Sequence, residues 1–444
     1  MTTAKKKMYD ESVHDCAINI SKRDTTTKIP ILNINTRCHL SLFTPFATFS
    51  TKLSRYSMHT FATVERHSLD NGDRGQIYCE YIYAEKDNEF RSKNDRDDDG
   101  NNIVFLVDGV CNDGFQFEKF IDRCCSHNCY AIRYDYRGHG RSSNCSNEKP
   151  LTVETCVSDM KKVLEHFYRT HPNLLLKEGA EEERGPRRKK RPWSRRRRVT
   201  LISYSLGAQV ALKFAIEEIG SVNGVGIVNG TLEPAFYGLF RSEVLSDCVV
   251  GALRRSASFQ LFVAFWIRIC MVLLSLNGFV SSLLASYFVK ASAKNFKPFW
   301  THARRVQARS YLSFLVDAHS TDGMDILECL GSSSSQVGGV KKSALPLLCI
   351  VGIKDTLVRT HKTVETVRRL APECDVVAVK DGCHALLVHD AHAEKTADVL
   401  LDFVNRCCAS NKSAKTMTTS NAEEEEEDDD EEAYDRKTMN ALLA

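Results

Sequence analysis

The chain has 444 residues, more than one average domain needs, and 43% of them are hydrophobic and 9% aromatic, which excludes wholesale disorder and collagen-like architecture. Its net charge of +3 conceals two opposed blocks: ten consecutive acids from Glu423 to Glu432, and ten basic residues without an acid from Arg184 to Arg198. The blocks cancel and leave the remainder nearly balanced, which argues against a nucleic-acid-binding core. The 17 cysteines are odd in number and lack any C-x-x-C pair or metal-ligand spacing. Cys349 and the Cys124–Cys125 pair read as small hydrophobes, and a reducing compartment is expected rather than a disulfide framework.

Residues 1–57 show no sustained period and are expected to form a poorly ordered extension. Met1 to Asp10 is basic but lacks the apolar stretch of a secretory signal. Ser and Thr are frequent up to Thr60, as in a mitochondrial transit peptide, while Asp10, Glu11, Asp15 and Asp24 count against one. The expected location is therefore the cytoplasm or the periphery of an intracellular membrane, with the mitochondrion left open.

From residue 58 the pattern is strand-rich: Thr60 to Arg66, then Gln76 to Ala84, then a polar loop to Asn102. Ile103 to Val107 is a short apolar run suited to a strand buried on both faces. Phe115 to Cys125 has helical spacing, and Tyr130 to Tyr134 reads as a further strand. Val153, Val157, Met160, Leu164 and Phe167 mark one face of a helix that Thr152 can cap and Pro172 ends. The charged stretch 178–198, with Pro186 and Pro192, is expected to be a disordered surface insertion. Strand Val199 to Ser203, helix Leu206 to Ile219 and strand Val225 to Val228 complete the first part of a core spanning 58–230. A cap of 231–342 follows, with an apolar segment at 259–289. Strand Leu345 to Val351, helix Thr360 to Leu370, strand Asp375 to Val379 and helix Ala391 to Cys407 form a second core part, 343–408. An acidic disordered tail, 409–444, ends the chain. Strands alternating with helices of this length predict an α/β fold, a mostly parallel central sheet with helices on both faces.

Ser203-Tyr204-Ser205-Leu206-Gly207 lies where an apolar strand turns directly into a helix. A nucleophile on so sharp a turn needs small neighbours two positions away, and the helix N-terminus behind it offers N–H groups to developing negative charge. The competing reading is an ordinary strand–helix corner with Ser205 as a helix cap. Against it stand Asp355 and His384, each just beyond the carboxyl end of a predicted strand, in the order Ser, Asp, His. A serine hydroxyl needs a histidine to take its proton, and the imidazolium needs a carboxylate. Glu233 is the alternative acid; His389 and His392 are the alternative histidines.

Tyr134-Asp135-Tyr136-Arg137-Gly138-His139-Gly140-Arg141-Ser142 resembles the D-x-R-G-H-G-x-S loop of the α/β-hydrolase superfamily. Over roughly Thr60 to Cys407 the chain is similar to its monoacylglycerol-lipase-like and prolyl-aminopeptidase-like serine hydrolases. The resemblance implies an α/β-hydrolase fold with an inserted helical cap, and an oxyanion hole made by the backbone N–H groups of Val110 and Leu206. Asp108 stands where that family has histidine, and Ser203 where it has the first glycine of G-x-S-x-G. The aspartate nucleophile of dehalogenases and epoxide hydrolases is replaced by Ser205.

The apolar segment is long enough for a membrane helix, but a single crossing would part Ser205 from Asp355 and His384. A soluble cap lining an acyl pocket, a hairpin dipping into one leaflet around Asn277-Gly278, or a true spanning pair is compatible. Arg254, Arg255, Lys290, Lys294 and Lys297 flank it as suits anionic lipid. The expected function is a serine hydrolase of carboxylic esters, lipid or long-chain acyl, needing no metal or organic cofactor. The alternatives are a peptidase of the same fold and a non-catalytic, membrane-associated binding protein. For Arg184 to Arg198 the readings are a solvated loop, a nuclear-import address, or contact with polyanion, anionic membrane or the acidic tail. Trp193 is its one aromatic residue, too few for base stacking.

Overall fold

The structure, a computed structural model, describes residues 62–70, 75–84, 102–110, 114–143, 150–174, 197–277, 302–303, 305–321, 323–332, 345–389 and 391–419, with isolated positions at 280, 283 and 299. All belong to one compact unit, Tyr56–Ala444. The predicted N-terminal extension, nearly all of the charged insertion and the acid run of the tail lie outside the described residues.

Eight strands form one open sheet: β1 (Ala62–Asp70), β2 (Gln76–Ala84), β3 (Ile103–Val107), β4 (Tyr130–Tyr134), β5 (Val199–Tyr204), β6 (Val222–Val228), β7 (Leu347–Gly352) and β8 (Asp375–Val379). Their spatial order is β1-β2-β4-β3-β5-β6-β7-β8. The first two pairings, β1 with β2 and β2 with β4, are antiparallel. From β4 to β8 every neighbour is parallel. β3, β5, β6 and β7 are buried along their whole length, as expected where helices cover both faces.

Alternation along the strands divides the core into two layers. Ile103, Phe105 and Val107 of β3 face α2 (Val153–Thr170) and α3 (Gly207–Glu217), whose Met160, Phe167, Val210 and Phe214 fill that side. Val104 and Leu106 face α1 (Glu118–Ser126) and the last helix, through Phe120, Ile121, Leu400 and Phe403. Thr152 caps α2 as expected, its hydroxyl accepting from Thr155 N–H at 3.1 Å. β6 starts three residues earlier than its apolar run, because Asn223 and Gly224 carry no strand signal of their own. Gly224 is required there, since a Cβ would lie 2.5 Å from Cys407 Sγ of the last helix.

Between β6 and β7 come α4 (Ala235–Phe240), α5 (Glu243–Arg255), α6 (Ala257–Leu276), α7 (Ala308–Ser320) and α8 (Gly323–Ser332). After β7 follow α9 (Thr360–Leu370) and α10 (Ala393–Thr419). α10 therefore runs past position 409, where the tail was expected to begin, because no Gly or Pro interrupts 409–419.

The Asp135–Ser142 loop is structural. Arg137 forms a two-pronged ion pair with buried Asp159 at 2.6 and 2.7 Å. Asp135 accepts from Arg141 N–H, and the Ser142 hydroxyl links the Asp135 carbonyl to Tyr78 N–H of β2. His139 is buried against Tyr136 and His302. Burial, followed by the neighbouring His302, pushes its pKa down to about 3. His139 is thus neutral in the fold, whereas in the unfolded chain it takes up a proton near 6.5. Its contribution to stability is intact above pH 6.5 and is lost as pH falls toward 3, by up to about 1.4 kcal/mol per pH unit. Urea unfolding between pH 7 and 4 will show this slope, and a His139→Gln variant that still folds will show a shallower one.

Candidate active site

β5 ends at Tyr204 and α3 begins at Gly207, so two residues make the whole turn. Ser205 has φ of 53°, a left-handed conformation that costs a non-glycine residue about 1 kcal/mol or more. Its backbone is pinned on both sides. The N–H donates to Val228 O at 3.1 Å, and the carbonyl accepts from Ala208 N–H at 3.1 Å and Thr231 N–H at 3.0 Å. Such pinning holds the side chain at the top of the turn, half-buried.

The residues two positions away have different reasons. A Cβ on Gly207 would lie 2.5 Å from the Val107 carbonyl oxygen and also strike that of Asp108, so glycine lets α3 close against the loop after β3. Ser203 replaces the expected glycine without conflict, because its hydroxyl donates to Gly226 O of β6 at 3.1 Å. The departure is absorbed by one hydrogen bond between adjacent strands.

That loop carries Asp108 and Val110. Asp108 is buried, and its carboxylate accepts from Gly109 N–H at 2.7 Å, Gly114 N–H at 2.6 Å and the Gln116 amide. These three donors, all close in sequence, satisfy the buried carboxylate. Tyr136 fastens the loop from below, donating to Asp108 O at 2.6 Å. Among the described residues, neither the Val110 nor the Leu206 N–H donates a hydrogen bond. Leu206 also stands at the N-terminus of α3, where the helix dipole favours negative charge.

Asp355 and His384 meet directly, Nδ1 to Oδ2 at 2.8 Å. The Asp355 side chain is fully buried, and its other oxygen accepts from Leu357 N–H at 2.7 Å and Val358 N–H at 3.0 Å. An ionised carboxylate can only accept, so Nδ1 carries the proton and Nε2 is left as the basic nitrogen. Tyr204, the residue before the serine, packs its ring 5.1 Å from that of His384 and donates its hydroxyl to His384 O at 2.9 Å. Burial raises the Tyr204 hydroxyl well above the ordinary tyrosine pKa and keeps it a donor. The Ser205 hydroxyl makes no hydrogen bond among the described residues. The His384 ring bonds to Asp355, and no hydrogen bond joins it to Ser205 among the described residues.

Two positioning residues were not among the sequence candidates. One is Tyr204. The other is Asn229, buried at the end of β6 with φ of 46°. Its amide donates to Cys383 O and His384 O, each at 2.8 Å, and its carbonyl accepts from Gly352 N–H at 2.7 Å. A single side chain thereby ties the acid-bearing segment to the histidine-bearing one. An Asn directly after an apolar strand, before Gly230, is a turn signal, but nothing in the sequence shows what its amide reaches.

The rival groups are engaged elsewhere. Glu233 is held by Arg359 in a two-pronged pair at 2.5 and 2.7 Å, and has no contact with His384. His389 and His392 stack on each other at 5.0 Å. A cleft of about 960 Å³ between the Asp355 segment and α9 is lined by Val351, Arg359, Val364 and Ala378. Asp355 lines it as well, whereas Ser205 and His384 do not.

Gly207→Ala is expected to lower the thermal unfolding midpoint, at a cost of about 1–3 kcal/mol, because backbone rather than a flexible side chain blocks the new methyl. Asn229→Ala, which strands Gly352 N–H and two carbonyls, is expected to destabilise the fold by about 2–3 kcal/mol and to loosen His384. Denaturant titration measures both losses, and the His384 ring NMR signals report the loosening directly.

A model of the alpha/beta hydrolase family matches residues 108–399. No curated protein sequence matches significantly. Among solved structures, a carboxylesterase of the ammonia-oxidizing thaumarchaeon Nitrososphaera gargenis superposes with a TM-score of 0.50 at 15% identity, covering 78% of this chain and 100% of that one. The bromoperoxidase of Bacillus anthracis does so with a TM-score of 0.51 at 17% identity, covering 77% and 99%. At these identities the likeness is one of fold. The matched range runs from the Asp108 loop through Ser205, Asp355 and His384 into α10, and the chain belongs to the alpha/beta hydrolase family.

Proposed function

We propose that this chain is a serine hydrolase of carboxylic esters. The observation that carries the reading is the Asp355–His384 hydrogen bond, made by a buried, multiply bonded carboxylate to the ring whose other nitrogen is left basic. Family membership supports hydrolase chemistry; the assignment of residues rests on geometry.

In this mechanism His384 Nε2 takes the proton of Ser205 as Oγ attacks the ester carbonyl carbon. The carbonyl π pair moves to oxygen, and the N–H groups of Val110 and Leu206 hold the oxyanion. Asp355 stabilises the imidazolium without accepting its proton. Collapse expels the alkoxide, which leaves as alcohol with the proton from Nε2, and an acyl-Ser205 remains. Water attacks that acyl group by the same route, with His384 again as base, and releases the carboxylic acid.

A long-chain acyl or lipid ester is the substrate class that the cap supports. The cap leaves the core directly beside the nucleophile, since Thr231 N–H bonds to Ser205 O. Its helix α4 rests on the acid segment, where a Cβ on Gly238 would strike the Leu357 carbonyl. Phe236, Val250, Leu253, Ala264 and Leu312 then give the cap an apolar core of its own.

A fluorophosphonate probe should label the wild type, and Ser205→Ala should abolish labelling and lower ester turnover by about 10⁴-fold or more. Folded wild type that resists the probe would overturn the assignment, and faster turnover of acetyl than of long-chain esters would overturn the substrate class. Ser205→Gly should also be inactive, yet more stable than the wild type by about 1 kcal/mol, since glycine relieves the left-handed backbone that alanine keeps. Denaturant midpoints of the three proteins test this.

A further inference from the structure

Helix α6, Ala257–Leu276, contains no acidic residue and a single base, Arg268, whose guanidinium donates to Val306 O at 3.3 Å. One stripe of the helix is packed. Ala264, with Val263 and Ile267 beside it, meets Ala308 and Leu312 of α7, and Met271 meets Ala303 and Val306. The rest faces outward: Leu261, Phe262, Phe265, Trp266 and Leu273 are each at least 50% exposed. Ala257–Leu274 has a mean hydropathy of 2.0, and only 11% of it is buried. A soluble helix of this composition is ordinarily hidden, and a continuous apolar face of this kind marks a contact surface.

We propose that this face of α6 docks onto the surface of an anionic bilayer and lies in the plane of one leaflet. The topology forbids a single crossing. α6 is inserted between β6 and β7, which pair in register from Val225↔Leu347 to Val228↔Ile350, so both ends of the insertion return to one sheet. Exposed Arg254 and Arg255 end α5 immediately before the helix starts, and in sequence Lys290, Lys294 and Lys297 follow it. On α5, Val244 and Leu245 are exposed as well. Flanking cations, aromatic side chains whose large rings suit the interface, and an acid-free apolar face are what an interfacial helix needs. The proposal concerns where the molecule sits and does not depend on Ser205 chemistry.

The test uses full-length Ser205→Ala protein, so that turnover plays no part, with vesicles of phosphatidylcholine alone or with about 30% phosphatidylserine. Co-sedimentation with the anionic vesicles is expected, weaker at high salt, and with release by alkaline carbonate as for a surface-bound protein. Phe265→Glu with Trp266→Glu should reduce binding at least about tenfold while the thermal midpoint is unchanged, since both side chains are half or more exposed. Arg254→Glu with Arg255→Glu should remove the preference for phosphatidylserine. The proposal fails if the wild type stays in the supernatant with both vesicles, or if carbonate does not extract it. It fails equally if sedimentation equilibrium shows a dimer that Phe265→Glu dissociates, because a second copy would then cover the face.

Discussion

The site depends on parallel pairing in one sheet. β5, β6, β7 and β8 run in the same direction and in fixed register, so the segments that leave them emerge along one edge. Ser205 leaves β5, Asn229 β6, Asp355 β7 and His384 β8. Residues separated by as many as 179 positions in the chain are thereby brought together by backbone hydrogen bonds, whatever their side chains are. Asn229 makes the arrangement specific. It bonds to Gly352 on one side and to Cys383 and His384 on the other, so the acid and the histidine cannot separate without breaking buried hydrogen bonds.

Around that edge the fold accepts local costs. Ser205 and Asn229 both hold left-handed backbone angles, and both are fixed by hydrogen bonds from neighbouring strands. His139 is buried neutral, and the carboxylates of Asp108, Asp159 and Asp355 are buried with donors around them. Strain and buried charge persist only where surrounding structure overdetermines them. Asp108 illustrates the point. In isolation a buried carboxylate is costly, but Gly109 N–H, Gly114 N–H and the Gln116 amide satisfy it.

The cap follows a different logic. Its α6 packs through alanine and a narrow set of aliphatic residues, and leaves its aromatic side chains outside. Within the core, large apolar groups point inward from both faces of the sheet; within α6, the largest point away. The proposed lipid docking and the proposed lipid-ester substrate are consistent with this inversion, because both would draw on the same apolar molecules.

Much of this architecture was legible in the residues. Short apolar runs and 3.6-residue spacing located the strands and most helices, since burial on two faces leaves no polar position in β3 or β7. Ser205, Asp355 and His384 stood out as candidates because each follows a strand with small residues around it. β6 was read short at Asn223-Gly224, where a close approach of α10 demands glycine and so erases the hydrophobic signal. The sequence by itself determined the fold class, the chain order of the candidate groups and the presence of an apolar insertion, because these are local periodicities and turn chemistries. Only the tertiary structure decided that Asp355 rather than Glu233 meets His384, that Asp108 is hydrogen-bonded within its own segment, and that Asn229 and Tyr204 hold the histidine. Those outcomes turn on hydrogen bonds between segments distant in sequence, and no local pattern records which partner a buried polar group will find.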